Sequence, residues 1–137
     1  MEVHRILGKG LLEIVYKDAI EYEFKKKEIR YEREKKYEVE YKGIILPHYF
    51  YADFVVYDKI ILEIKARNSI VDEHISWVIN YLAISQCPLG LIINFGENSL
   101  ITKNDYRILY LNSFFDVAPT SKSLSNKASP KYRLLNL

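Results

Sequence analysis

Cysteine is almost missing from this sequence: Cys87 stands alone among 137 residues. A single thiol forms no internal disulfide and builds no cysteine zinc site, so neither staple is available to the fold. Long hydrophobic runs are missing too, and nothing approaches the roughly 20 apolar residues that a membrane-spanning helix needs. The first residues, MEVHRILGKG, lack the charged-then-apolar order of a secretory signal. No internal repeat is visible, and no low-complexity stretch precedes the C-terminal tail. Together these absences make a soluble, cytoplasmic chain with no membrane partner the simplest expectation.

What is present suits one packed domain. Apolar residues make up 49% of the chain, enough for a core at a length that fits one domain better than two. The net charge of +2 conceals an asymmetry. From Val117 onward Lys122, Lys127, Lys131 and Arg133 meet no acid, so the preceding body carries 16 of the 20 bases and all 18 acids. A basic tail of this kind can hold phosphates, but Ser-, Lys- and Asn-rich ends are more commonly just solvated.

Periodicity gives the element order. After Gly8 and Gly10, apolar residues recur at Leu11, Val15, Ala19 and Tyr22, and again at Leu12, Tyr16, Ile20 and Phe24. That spacing predicts a helix of four or five turns, with Lys25, Lys26 and Lys27 at its C-terminal end, where the helix dipole favours positive charge. Residues 29–43 then alternate, with Tyr31, Arg33, Lys35, Tyr37, Val39 and Tyr41 on one face, and end at Lys42-Gly43. IILPHYFYADFVVY reads as a second strand in which Pro47 marks an edge or a bulge. IILEIKA is a third strand. DEHISWVINYLAIS is a helix with Asp72 as its expected N-cap and Ile75, Val78, Ile79 and Leu82 as its buried face. LGLIINF is an unbroken apolar strand of the kind covered on both sides.

Charges inside two of these strands carry the chemistry. Glu63 and Lys65 interrupt the apolar third strand and, being two apart, share a face. A buried charge needs a partner, a metal or water; a simple mutual ion pair is the bland explanation. Asp53 sits likewise in the apolar A-D-F-V-V. If a three-residue loop at 57–59 joins the strands, 56 pairs with 60 and 53 with 63, and the two carboxylates lie opposite each other, roughly 4.5–5.5 Å apart at Cβ. Oxygen donors at that spacing suit a hard divalent cation. A two-residue loop would put the acids on opposite faces.

A wider set of residues follows in order. Gly10-Leu11-Leu12-Glu13-Ile14-Val15-Tyr16 spells G-x-x-E-x-x-Y; after it come Tyr41-Lys42-Gly43, Ala52-Asp53, Glu63-Ile64-Lys65-Ala66, Asn80-Tyr81-Leu82, Leu89-Gly90-Leu91 and Asn94-Phe95-Gly96. Over about residues 5 to 110 the chain resembles the GxxExxY family, a branch of the PD-(D/E)XK nuclease superfamily. The resemblance implies an α/β fold with a restriction-endonuclease-like αβββαβ core, a mixed sheet flanked by helices. It sets the domain at 1–111 and leaves 112–137 as a basic, partly mobile extension that inherits no role. It further implies Mg²⁺- or Mn²⁺-dependent cleavage of phosphodiester bonds in DNA or RNA. Asp53, Glu63, the Ile64 main-chain carbonyl and Glu13 would hold the metal, and Glu13, Asp53, Glu63 and Lys65 form the catalytic set. Tyr16, His74, Trp77 and Tyr81 would contact or support substrate. One position departs from the family: His74-Ile75-Ser76-Trp77 puts an indole where a glutamine is usual, an aromatic that could stack on a base. Two other readings stay open. The nearly neutral body is unlike the basic face of most duplex binders, which leaves room for a non-catalytic nucleic-acid-binding or protein-interaction module, and a purely structural ion-pair cluster would need no ligand. The oligomeric state is left open, a homodimer among the options.

Overall fold

Lys42 and Gly43 turn the chain with φ of 50° and 81°, joining Tyr41 directly to Ile44. Two consecutive positive φ values give the turn whose twist matches a hairpin, and glycine takes the second without a Cβ clash. In the computed structural model, which describes residues 1–96, Asn98 and the strand 106–110, the arms of this hairpin are β1 (Tyr31–Tyr41) and β2 (Ile44–Val56). The odd-numbered residues of β1 up to Val39 are half-buried and the even ones exposed, as the alternation predicts. The register slips between Glu38 and Glu40, opposite the stretch that holds Pro47. A residue without an N–H cannot complete a regular ladder, and here the ladder yields.

Three residues lead from β2 into β3 (Ile60–Lys65). The pairs are Val56 with Ile60, Val55 with Ile61 and Phe54 with Leu62, the parity that the site requires. The loop has no glycine, yet Tyr57 and Asp58 both adopt positive φ. Outside contacts hold them there. The Tyr57 N–H donates to the Arg30 carbonyl (3.0 Å), the Lys59 N–H to that of Val56 (3.1 Å), and Arg30 ion-pairs with Asp58.

The remaining elements are α1 (Glu2–Leu7), α2 (Glu13–Lys26), α3 (Asp72–Ser85), β4 (Leu89–Asn94) and β5 (Tyr106–Tyr110). The sheet runs β1-β2-β3-β4-β5, antiparallel except for the parallel β3/β4 pair that α3 connects. On one face Tyr16 and Ile20 of α2 pack with Phe54, Val56, Leu62, Ile64 and Phe95. On the other, Ile75, Val78 and Leu82 of α3 pack with Ala52, Val55, Ile61 and Ile92. This is a restriction-endonuclease-like α/β arrangement, with α1 and β5 added to the expected order. Among the described residues no helix is long and apolar enough to cross a membrane. The expected extension, 112–137, lies outside the described residues.

Two local expectations are corrected. The second long helix begins at Asp72 itself, and its N-cap is Val71, whose N–H is taken by His74 Nδ1 at 3.3 Å. The imidazole three residues along thus does part of the capping, and the Asp72 carboxylate sits in the first turn, where the dipole favours it. The first long helix starts at Glu13; Tyr16, Ile20 and Phe24 of one apolar stripe pack on the sheet, whereas Leu11, Val15 and Tyr22 of the other are exposed, as is Leu12 just ahead of the helix.

The inner face of the hairpin changes sides part-way along. Phe54 and Val56 belong to the core under α2, whereas Ala52 belongs to the core under α3 and Phe50 meets the Tyr81 ring edge-on (centroids 5.8 Å apart). β1 does the same: Tyr31 packs with the α2 core and Tyr37 with the α3 core. The reversal falls at Glu34, whose φ is 50°, opposite Asp53, at the one rung between Arg33–Phe54 and Lys35–Ala52 that is not regularly paired.

Polar contacts lock α2 onto the near half of β1. Arg33 reaches Asp18 (2.7 Å) and Glu21 (2.6 Å), and the Tyr31 hydroxyl donates to Glu21 at 2.8 Å. The Tyr31 hydrogen bond and then the Arg33 one lower the Glu21 pKa. A depressed carboxyl pKa contributes stability that is present above the unfolded value and lost as pH falls through the folded one. Glu21→Gln should therefore melt below the wild type near neutrality, with the gap closing as pH drops below about 4. Thermal unfolding of the two proteins across that range checks it.

Candidate active site

Paired rungs between β2 and β3 stop at Phe54 and Leu62, and one rung further the side chains take over the ladder. The Asp53 N–H donates to Glu63 Oε1 (3.1 Å) and the Ile64 N–H to Asp53 Oδ2 (2.8 Å). The other two oxygens meet cations: Lys65 Nζ lies 3.2 Å from Glu63 Oε2, and Lys17 ion-pairs with Asp53 Oδ1. All three strand residues are buried. The structure thus brings Asp53, Glu63 and Lys65 together as the register required. Each carboxylate oxygen takes one partner here, and a carboxylate oxygen accepts two, so acceptor capacity remains at the gap.

The helices supply the rest. Glu13, the first residue of α2, is 3.2 Å from Lys17 Nζ and reaches Asp53 only through that ammonium. Among the described residues no three His, Cys, Asp or Glu side chains stand close enough to hold a metal by themselves. Tyr16 does not face the site. It is fully buried, stacked on Phe95 (centroids 4.3 Å apart), and its hydroxyl donates to the Gly8 carbonyl (2.8 Å) and accepts from the Leu11 N–H (3.2 Å). Its role is to fix the loop that delivers Glu13. From α3, Tyr81 is half-buried; burial first, then the Glu63 and Asp53 charges, push its hydroxyl up to about 12. Trp77 is 44% exposed, with its ring 5.8 Å from that of His74 and 5.9 Å from Lys65 Nζ. The indole is therefore a surface group beside the lysine rather than a core aromatic. Burial and then the Lys65 charge lower the His74 pKa.

Two residues take on a role that the sequence did not assign them, although Asn94 stands in the Asn94-Phe95-Gly96 segment. Lys17 was visible only as an i,i+4 partner of Glu13 on the same helical face. Asn94, fully buried, clips the segment leaving β3: it accepts from the Arg67 N–H (2.9 Å) and donates to the Arg67 carbonyl (2.8 Å). Beside it Gly96 passes so close that a Cβ would overlap the Arg67 main chain. A buried amide pairing two main-chain groups leaves no periodic trace in a sequence.

Electrostatically the gap is short of positive charge. Burial raises the Glu63 pKa most, the Asp53 charge adds to it, and Lys65 only partly offsets them, leaving Glu63 at about 7. Two buried carboxylates at the mouth of a splayed β-ladder, with a lysine two residues on, invite comparison with known families. A model described as the PD-(D/E)XK nuclease superfamily matches residues 1–107.

The chain belongs to the PD-(D/E)XK nuclease superfamily.

Searches of curated proteins and of solved structures each returned no match. Membership in the PD-(D/E)XK superfamily points to a nuclease-like function with nucleic acid as the substrate class, and nucleases of this superfamily generally depend on divalent metal.

Two outcomes follow from this geometry. Because the folded carboxyl of Glu63 keeps its proton to about pH 7 while an unfolded one loses it near 4.5, metal-free stability should fall as pH rises through that window. Glu63→Gln should flatten the slope, by on the order of 2 kcal/mol over the window, readable from denaturant midpoints at a series of pH values. Asn94→Ala removes both side-chain hydrogen bonds to the part-buried Arg67 main chain and should cost about 1–2 kcal/mol of stability, read from the same unfolding curves at one pH.

Proposed function

We propose that this chain is a divalent-metal-dependent phosphodiesterase that hydrolyses DNA or RNA. The observation that carries the reading is the pair Asp53 and Glu63, buried side by side with Lys65 adjacent. The donor set fits the cation the superfamily uses. It is all oxygen, it has spare acceptor capacity, and the raised Glu63 pKa marks a site that gains from added positive charge.

Asp53, Glu63 and the main-chain carbonyl of Ile64 would hold Mg²⁺ or Mn²⁺, with Glu13 joining them directly or through water. A bound divalent ion there supplies Lewis acidity at the phosphate and lowers the pKa of a coordinated water. Lys65 orients the attacking water or neutralises charge developing on the phosphate. Trp77 lies 5.9 Å from Lys65 and His74 beside Trp77, and on this reading they would meet a base face and a phosphate. Tyr81 keeps its proton well past neutrality and so adds no negative charge beside the carboxylates. Tyr16 acts through the Gly8–Leu11 loop and not on substrate. The GxxExxY resemblance, carried by Gly10, Glu13 and Tyr16, supports placing the chain in that branch. Trp77 in place of the usual glutamine favours one rival reading, a binding module that retains the fold without cutting.

An assay on single- and double-stranded DNA and RNA with Mg²⁺ or Mn²⁺ tests the proposal. Cleavage should fall by on the order of 10²-fold or more in Glu63→Ala and in Lys65→Ala. Cleavage that survives both substitutions would sink this mechanism. Retarded nucleic acid with no cleavage would establish the binding module instead.

A further inference from the structure

Lys17 has no place in the motif, yet it is the cation that Asp53 meets first. Its ammonium ion-pairs with Asp53 Oδ1 and stands 3.2 Å from Glu13 Oε1, with the side chain only 14% exposed. Burial alone would weaken an ammonium, but Asp53 first and then Glu13 outweigh it and raise the Lys17 pKa. The result is a bridge. Glu13 holds Lys17 one helical turn along α2, and Lys17 holds Asp53 on β2.

Both partners of this ammonium belong to the set that would receive a divalent cation. With Lys17 between them, Glu13 and Asp53 are joined by a positive charge, and no three-acid cluster forms among the described residues. Formal charge points the same way: three carboxylates, of Glu13, Asp53 and Glu63, face two ammonium groups, of Lys17 and Lys65. A divalent ion added beside a stationary Lys17 would meet like-charge repulsion in a site where burial strengthens it. Lysine has a flexible four-carbon stem and a strongly hydrated head, so it can leave where an arginine fork would resist.

We propose that Lys17 is a built-in counter-cation. It holds Glu13 and Asp53 in place in the metal-free protein and gives up both carboxylates when a divalent cation binds. Lys17 is thus a positioning residue that competes with the metal, and this role rests on the metal-site reading above. It sets the metal concentration at which the site loads and keeps a buried acid from standing uncompensated before then.

Calorimetric titration of Mn²⁺ into the full chain without nucleic acid, for wild type, Lys17→Met and Lys17→Arg, tests it. Lys17→Met should bind Mn²⁺ about tenfold more tightly than wild type, while Lys17→Arg, which keeps the charge, should bind no more tightly. The metal-free melting temperature of Lys17→Met should fall, and saturating Mn²⁺ should restore it to near the wild-type value. A merely structural lysine would give the fall without the gain in affinity. A wild-type measurement stands independently of how the variants fold: acetylation of lysines read by mass spectrometry should show Lys17 protected in the metal-free protein and several-fold more reactive with Mn²⁺. Equal or weaker Mn²⁺ binding by Lys17→Met, or Lys17 labelling indifferent to Mn²⁺ that the wild type demonstrably binds, overturns the role of Lys17 alone. If neither protein takes up Mn²⁺ at millimolar levels, the metal site falls and this inference with it.

Discussion

Two carboxylates buried side by side repel each other, and much of the fold around them serves to make that tolerable. The ladder of β2 and β3 opens at the rung where Asp53 and Glu63 stand, and the main-chain N–H groups freed by the opening turn to the carboxylates. Charge is answered from two directions, by Lys65 on the same strand and by Lys17 on α2. Neither compensation is complete, as the raised Glu63 pKa records. The site therefore tolerates its acids without fully neutralising them, which is the condition under which a dication has something to gain.

Distant contacts serve that one rung. The three-residue loop at 57–59 sets the parity that brings the acids across from each other, and Arg30 holds its two positive-φ residues in place. Tyr16 anchors the loop ahead of Glu13, and its ring stacks on Phe95 at the far end of β4. Asn94, at the end of β4, clips the chain as it leaves Lys65. Lining up the ends of β3 and β4 this way needs the parallel pairing that α3 makes possible. Residues far apart in the chain, such as Tyr16 and Phe95, thus converge on a few ångströms of strand.

The elements with a long, uniform pattern were legible in the sequence. The alternation of β1, the apolar run of β4 and the face of α3 come straight from spacing, and the nearness of Asp53 to Glu63 followed from counting a turn, although the ladder itself ends one rung earlier. Short or context-bound features were not. α1 has six residues and buries only Val3, too little pattern to register. β5 is five residues long. The start of α2 was misplaced because Leu11 and Leu12 continue its apolar spacing while lying in the loop that Tyr16 pins. Asp72 looked like a cap by residue type, but the His74 imidazole reached the N–H of Val71 instead. Within the site, Asp53, Glu63 and Lys65 announced themselves as charges in apolar strands. Lys17 did not, because a lysine on a helix is ordinary until a strand acid is folded against it. The inward hydroxyl of Tyr16 is hidden for the same reason: its partners are main-chain atoms.

The reversal of the hairpin at Glu34 and Asp53 has a consequence for how this chain can vary over time. Both strands switch faces at the same rung, so a residue gained or lost in one strand alone would throw either Tyr31 and Phe54 or Tyr37 and Ala52 out of their cores. Length is therefore pinned near the site by packing, independently of any selection on chemistry. Drift in length is cheapest at the other end of the hairpin, where Tyr41, Ile44 and Ile45 are already exposed and no core reads their register.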